Sequence, residues 1–242
     1  MVQYAHFRYC SCYAHSGDTY NTVQRVEKRK EQTTFDMKQF VITIGRQLGS
    51  GGKEIAEKLG ERLNIKVYDK TLLEVAAKES GLDATVFETA DEQEHNSFFS
   101  GLFSIHGSIG DYMQSSSCIE NDKLFEIQSE TIRGLAERES CIIVGRCAEY
   151  VLRDYPDMIS IFITANNDDR ISRTMEIENL EREKAVELIE KGDKRRRSYH
   201  DYYASTHWGE ARSYDICVNS SKLGINGTIK LLYNLIKSRF EL

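Results

Sequence analysis

Hydrophobic positions from residue 39 onward keep two rhythms in turn: short β-branched runs, and stripes repeating at helical spacing. Residues 39–45 read as a first strand, and 52–63 as a helix on which Ile55, Leu59 and Leu63 recur every fourth position. IKVYD, 65–69, is a short second strand, followed by a helical pattern over 70–80 that Gly81 stops. Asp83 is placed to cap another short helix. SFFSGLFSIHGSIG, 97–110, carries neither rhythm and reads either as a mobile segment whose phenylalanines dock elsewhere or as a partly buried surface loop. A long helix over about 119–139 leads to the cleanest buried strand, CIIVGR (141–146), with 147–154 helical after it. MISIFITA (158–165) is the next strand, and the charged stretch 168–200 reads as two helices. YDICVNSS (214–221) is the last strand, and 225–240 the closing helix, with Ile225, Ile229, Leu232, Ile236 and Phe240 on one stripe. Five strands alternating with helices predict a three-layer α/β/α domain on a parallel sheet.

Residues 1–36 show neither periodicity and look appended. Met37 stands directly before the first convincing strand, so the expectation is a domain over 37–242 preceded by a start-site extension. The 242 residues suffice for one core with a mobile subdomain, and 40% hydrophobic with 29% charged residues fits an ordinary globular chain. A formal net charge of −6 argues against a dedicated nucleic-acid binder. No apolar run approaches the roughly 18 residues of a membrane helix, so the expected setting is cytoplasmic, with no membrane partner. The six cysteines form no C-x-x-C pairs, and Cys141 and Cys217 sit in strand patterns as expected small buried hydrophobes.

The chemistry centres on VITIGRQLGSGGKE, 41–54. A strand, a turn holding Gly45, Gly49, Ser50, Gly51 and Gly52, and a helix follow one another, with Lys53 at the helix start. Glycine lets backbone N–H groups converge on phosphate oxygens through φ values that other residues avoid, and the helix adds its positive end. The match to a P-loop is imperfect. Counted from Gly45, the spacing is one residue long; registered on Gly49–Gly51, Gly52 falls at the lysine position and Lys53 at the metal-binding hydroxyl position. Ser50 or Asp69 would then share in metal coordination through water. Downstream, Lys194, Arg195, Arg196 and Arg197 concentrate positive charge. Alone, such a cluster is a solvated helix face. Its alternative inward faces are Arg196 with Tyr199 and His200, or Lys194 with Arg197. His200, His207 and Trp208 are left outside the active set, because a phosphate acceptor needs no general base.

GRQLGSGGKEIAEKL, VYDK (67–70), IIVGRCAEYVL (142–152), ISIFITA (159–165), RISRTMEIENLEREKA (170–185), DKRRRSYHDYY (193–203), HWG (207–209) and YDICVNSSKLGI (214–225) together resemble the cytidylate kinase-like family. That family belongs to the P-loop nucleoside monophosphate kinases. The resemblance implies a P-loop NTPase fold with a five-stranded parallel sheet, an NMP-binding insertion and a basic lid, here about 181–203. It implies ATP and Mg2+ at the glycine turn and phosphoryl transfer to a nucleoside monophosphate such as CMP or dCMP. Arg146 matches the arginine that grips the monophosphate, although Cys147 stands where those kinases carry Asp. Asp69 matches the acidic residue near the acceptor, Arg170 and Arg173 border the nucleotide and lid, and Arg196 and Arg197 fall where lid arginines reach the moving phosphoryl group, with Lys53 their partner at the loop. The rival readings are a P-loop binding or regulatory protein that has lost transfer activity, and transfer to a non-nucleotide acceptor.

Overall fold

A computed structural model describes residues 39–69 and 114–242, with the backbone alone for 114–121. The expected helix over 70–80, the Asp83 cap, the 97–110 segment and the 1–36 extension lie outside the described residues. Five strands, β1 (Val41–Arg46), β2 (Lys66–Tyr68), β3 (Cys141–Val144), β4 (Met158–Thr164) and β5 (Ile216–Asn219), form one sheet in the order β2-β3-β1-β4-β5. Every pairing is parallel, and β1 runs six rungs along β4, from Val41 opposite Met158 to Arg46 opposite Ile163. Strand periodicity splits the apolar residues between two faces. Ile42, Ile44, Ile142, Val144, Ile161 and Ile163 face one way and bury against α1 (Gly52–Leu63) and α6 (Ser220–Phe240). Val41, Cys141 and Ile143 face the other way, against α2 (Gln114–Arg138) and the short α3 (Ala148–Val151). Helices α4 (Asn167–Glu178) and α5 (Arg182–Tyr203) follow β4, separated by Asn179 in the left-handed conformation (φ 51°).

Two differences from the sequence expectation have local causes. The last strand is four residues, because the chain leaving a 3-10 turn at Ala211–Ser213 joins the ladder only at Ile216, and α6 begins at Ser220. Cys217 is exposed rather than buried: β5 is an edge strand, and Cys217 alternates with Val218, which takes the covered face. Within α6 the backbone breaks at Gly224 (φ 66°, ψ 170°), so the continuous closing helix begins at Ile225, where the stripe begins. The sheet's ladder brings the C-terminal ends of β1 and β3 side by side, with chain departing from them in opposite directions, the position where open α/β sheets present ligand sites.

Candidate active site

The turn after β1 is held open by its own backbone. Gly49 and Gly51 both have φ 76°, a region that costs other residues strain. A Cβ on Gly49 would stand 2.5 Å from the Arg170 carbonyl oxygen and 2.8 Å from Thr174 Oγ1. Gly51 is the N-cap of α1 and no side chain caps it; the first helical bond runs from the Ile55 N–H to the Gly51 carbonyl at 2.9 Å. The amides of Gly51, Gly52, Lys53 and Glu54 therefore precede any intrahelical acceptor and point out of the positive helix end. That is a ready anion cradle.

The neighbouring helices hold the cradle from behind. Arg170, buried on α4, donates through Nε to the Leu48 carbonyl at 2.8 Å and forms a short ion pair with Asp193 of α5. Arg173 Nη1 donates to the Gly49 carbonyl at 2.6 Å. Asp193 Oδ1 accepts from the Leu48 N–H at 2.8 Å. The two α4 arginines do share one face, and that face grips loop carbonyls, so Arg170 and Arg173 shape the cradle. Ser50 is also turned inward: fully buried, its hydroxyl donates to the Gln47 carbonyl at 2.8 Å, and its carbonyl accepts from Ser220 Oγ at 2.8 Å. The Ser50 hydroxyl thus braces the turn from within.

Beside the turn lies a cleft of about 290 Å³, walled by Gly45 and Arg46 at the end of β1, by Gly145 and Arg146 after β3, and by Arg195, Arg196, Tyr199 and His200 of α5. Gly145, Arg146 and Cys147 all have positive φ, 78°, 61° and 52°, so two non-glycine residues carry left-handed strain in succession. The turn directs Arg146 into the cleft, its Cζ 5.4 Å from the centre of the Tyr199 ring. Tyr199 is fixed by its hydroxyl, which donates to Gln128 Oε1 of α2 at 3.2 Å, and burial pushes its pKa up to about 12. Cys147 is 3% exposed, and burial raises its thiol pKa, with Glu149 adding to the effect.

Of the two inward faces open to α5, the structure takes Arg196 with Tyr199 and His200. Arg196 Nη1 donates to the Arg46 carbonyl at 3.0 Å. Arg197 is exposed and does not line the cleft; its Cζ lies 5.7 Å from the ring centre of Trp208, which does. Trp208 meets Phe162 of β4 edge-on at 5.2 Å. His200 is buried with Nε2 2.9 Å from Glu149 Oε1, poorly aligned for a hydrogen bond, and Nδ1 3.2 Å from Asp201. Burial works against the charged imidazole, and the two carboxylates outweigh it and raise the pKa. Lys53 is exposed, its Nζ 3.6 Å from Asp69 Oδ2 and 3.9 Å from Glu57 Oε1, so it leans along α1 toward the end of β2.

Arg46 belongs to this site and was not among the residues expected from the sequence. Burial, together with nearby Arg196 and Arg146, lowers its pKa, while Asp69 pulls the other way. The Arg46, Arg146 and Arg196 guanidinium groups thus oppose one another in a cleft that Arg195 also lines, an arrangement that an anion would relieve. The donor set fits a polyphosphate: free helix-start amides plus convergent arginines. It fits magnesium less well, since position 53 carries Lys in place of a hydroxyl and Ser50 is turned away; among the described residues no cluster of three or more metal-ligating side chains forms.

No helix among the described residues is long and apolar enough to cross a membrane. No curated protein matches the chain. Among solved structures, an uncharacterized protein from Eubacterium ventriosum is 32% identical, covering 83% of this chain and 99% of that one with a TM-score of 0.62. Shikimate kinases from Bacteroides thetaiotaomicron (14% identity, TM-score 0.46, covering 82% and 98%) and Acinetobacter baumannii (11%, 0.46, 84% and 95%) are likenesses too slight to speak to activity. The family model of the cytidylate kinase-like family matches residues 41–222, three quarters of the sequence and every strand described above. The chain belongs to the cytidylate kinase-like family, on an α/β fold with a five-stranded parallel sheet.

Proposed function

We propose that this protein transfers the γ-phosphoryl group of ATP to a small phosphorylated acceptor, with a nucleoside monophosphate such as CMP or dCMP as the favoured class. The observation that carries the reading is the juxtaposition of uncapped amides at the start of α1 with a cleft into which Arg46, Arg146 and Arg196 converge. Phosphoryl transfer asks little covalent help of a protein; it asks for in-line positioning and for positive charge around the oxygens as the bond breaks. The amides of 51–54 hold the donor's phosphates. Arg146, aimed by its strained turn, grips the acceptor's phosphate with its planar fork, and Asp69 sits at the acceptor side beside Lys53. Arg196 reaches from α5 toward the transferring group, and closure of the 181–203 lid excludes water that would otherwise hydrolyse ATP. Magnesium brought in with ATP would supply further charge at the phosphates, and Asp69 is the residue that would hold its water shell.

A coupled assay tests this: purified protein, ATP, Mg2+ and a panel of nucleoside monophosphates, followed for ADP release. The reading expects turnover with at least one pyrimidine monophosphate, and Arg146→Ala should abolish it while sparing ATP affinity. Equal loss of both would refute the placement of Arg146. Lys53 standing where a metal-binding hydroxyl is expected favours a second reading, a nucleotide-binding regulatory protein. Measurable ATP affinity without turnover on any acceptor would select it.

A further inference from the structure

We propose that Arg46 binds the β- and γ-phosphates of the nucleotide, replacing the lysine with which a P-loop ordinarily opens its helix. The inference rests on the kinase reading above and names the cation that this glycine turn otherwise lacks. Strand parity places Arg46 on the same face as Ile42 and Ile44, the face from which α1 rises. Two glycines make room for it. A Cβ on Gly52, the first residue of α1, would stand 2.6 Å from Arg46 Cβ and 3.0 Å from its Cγ. A Cβ on Gly145, the first residue of the turn after β3, would collide with Arg46 Nη1 and lie 3.4 Å from Cζ. The stem of Arg46 therefore occupies the space that a side chain at position 52 would enter, and its head lies beside Gly145 in the wall of the cleft. Lysine at 52 and arginine at 46 are mutually exclusive occupants of one channel, so the missing lysine and the two glycines have one explanation.

The surroundings favour a ligand role over a structural one. Among the described residues no hydrogen bond fixes the Arg46 guanidinium, whereas Arg170 and Arg173 on the neighbouring helix are committed to loop carbonyls. Its cationic neighbours are Arg146 of the β3 turn and Arg196 of α5, and Asp69 at the end of β2 is the opposing carboxylate. Arg46 makes and breaks no covalent bond in this scheme; it offers two parallel N–H donors to phosphate oxygens.

The test uses the full chain, titrated calorimetrically with the Mg2+ complex of a non-hydrolysable ATP analogue, alongside melting without nucleotide. Arg46→Ala should lose roughly tenfold to hundredfold in affinity while its melting temperature holds or rises, since a repelled cation has been removed. Gly52→Lys alone should bind poorly, because its stem meets Arg46. The double variant R46A/G52K should recover roughly tenfold over R46A. Arg46→Gln, which keeps the stem in the channel, gives the same comparison should R46A not fold. Wild-type protein that ignores the analogue would overturn the kinase reading and this inference together. Wild-type binding with R46A equally tight, a lowered melting point of the unliganded R46A and R46Q proteins, or a double variant no better than R46A would overturn the role of Arg46 alone.

Discussion

Asp193 ties three parts of the site together, and its removal gives a sharp prediction. One carboxylate, 14% exposed, pairs with Arg170, 6% exposed, and accepts the Leu48 N–H at 2.8 Å. Asp193→Ala leaves the Arg170 charge buried with that partner gone, which costs about 3–5 kcal/mol. The Leu48 amide also loses its acceptor; Leu48 is half-buried, so only the low end of the usual range, about 1 kcal/mol, adds to this. A total of about 4–6 kcal/mol corresponds, at about 2–4 °C per kcal/mol for a chain of this size, to a fall of roughly 8–24 °C in melting temperature. Asp193→Asn, which keeps an acceptor for Leu48 but not the charge, should fall between. Replacing both members, Arg170→Met with Asp193→Leu, should recover most of the loss, because burying two apolar chains avoids the desolvated charge. Urea denaturation of the wild type, Arg170→Met, Asp193→Leu and the double variant measures the cycle, with Asp193→Ala and Asp193→Asn alongside. A loss under about 1 kcal/mol for Asp193→Ala, or additivity of the two single changes, would refute the view that this pair anchors the loop.

Other expectations follow from the same contacts. Arg196→Ala should lower turnover by about a hundredfold or more, as loss of a transition-state donor does, whereas Arg197→Ala, at an exposed position that does not line the cleft, should change it by less than about tenfold; steady-state rates on the best acceptor separate the two. Gly49→Ala forces a Cβ to within 2.5 Å of the Arg170 carbonyl at φ 76°, and should destabilise by about 1–3 kcal/mol and weaken ATP binding, read by denaturation and calorimetry. His200 has a folded-state pKa raised above its ordinary 6.5, so its pairing with Glu149 and Asp201 contributes fully below pH 6.5 and is lost as pH rises through the folded value. Urea midpoints of the wild type should therefore decline across that window relative to those of His200→Gln, and parallel profiles would count against the ion pair.

Much of the architecture is written locally in the chain. The runs VITIG, CIIV and MISIFIT are β-branched and apolar on both faces, as strands buried under helices on both sides must be, and the stripe from Ile225 to Phe240 sets α6 down to its break at Gly224. The edge position of β5 is a property of strand order, which local pattern does not carry, and so the exposure of Cys217 went unseen. The choice between the two faces of the basic cluster likewise depended on where α5 lands, with Tyr199 meeting Gln128 of α2 at a separation of 71 residues. Arg46 had a sequence signal: it is the only cation between Gly45 and Gly52, in a turn whose lysine position is glycine. What the sequence lacked was the spatial reason, that two glycines 93 positions apart clear space for the same side chain.

The grip of α4 and α5 on the loop has a thermodynamic corollary. At Gly192 the α5 backbone passes so near Leu48 that a Cβ there would stand 2.5 Å from Leu48 Cδ1, and within four residues Asp193 and Arg196 bond the loop's own amide and carbonyl. The helix cannot swing as a rigid rod without unmaking the turn at its midpoint, so this stretch acts as a fulcrum. Nucleotide affinity and the tilt of α5 then form one linked equilibrium: whatever biases the helix must alter affinity, and binding must bias the helix by the same factor.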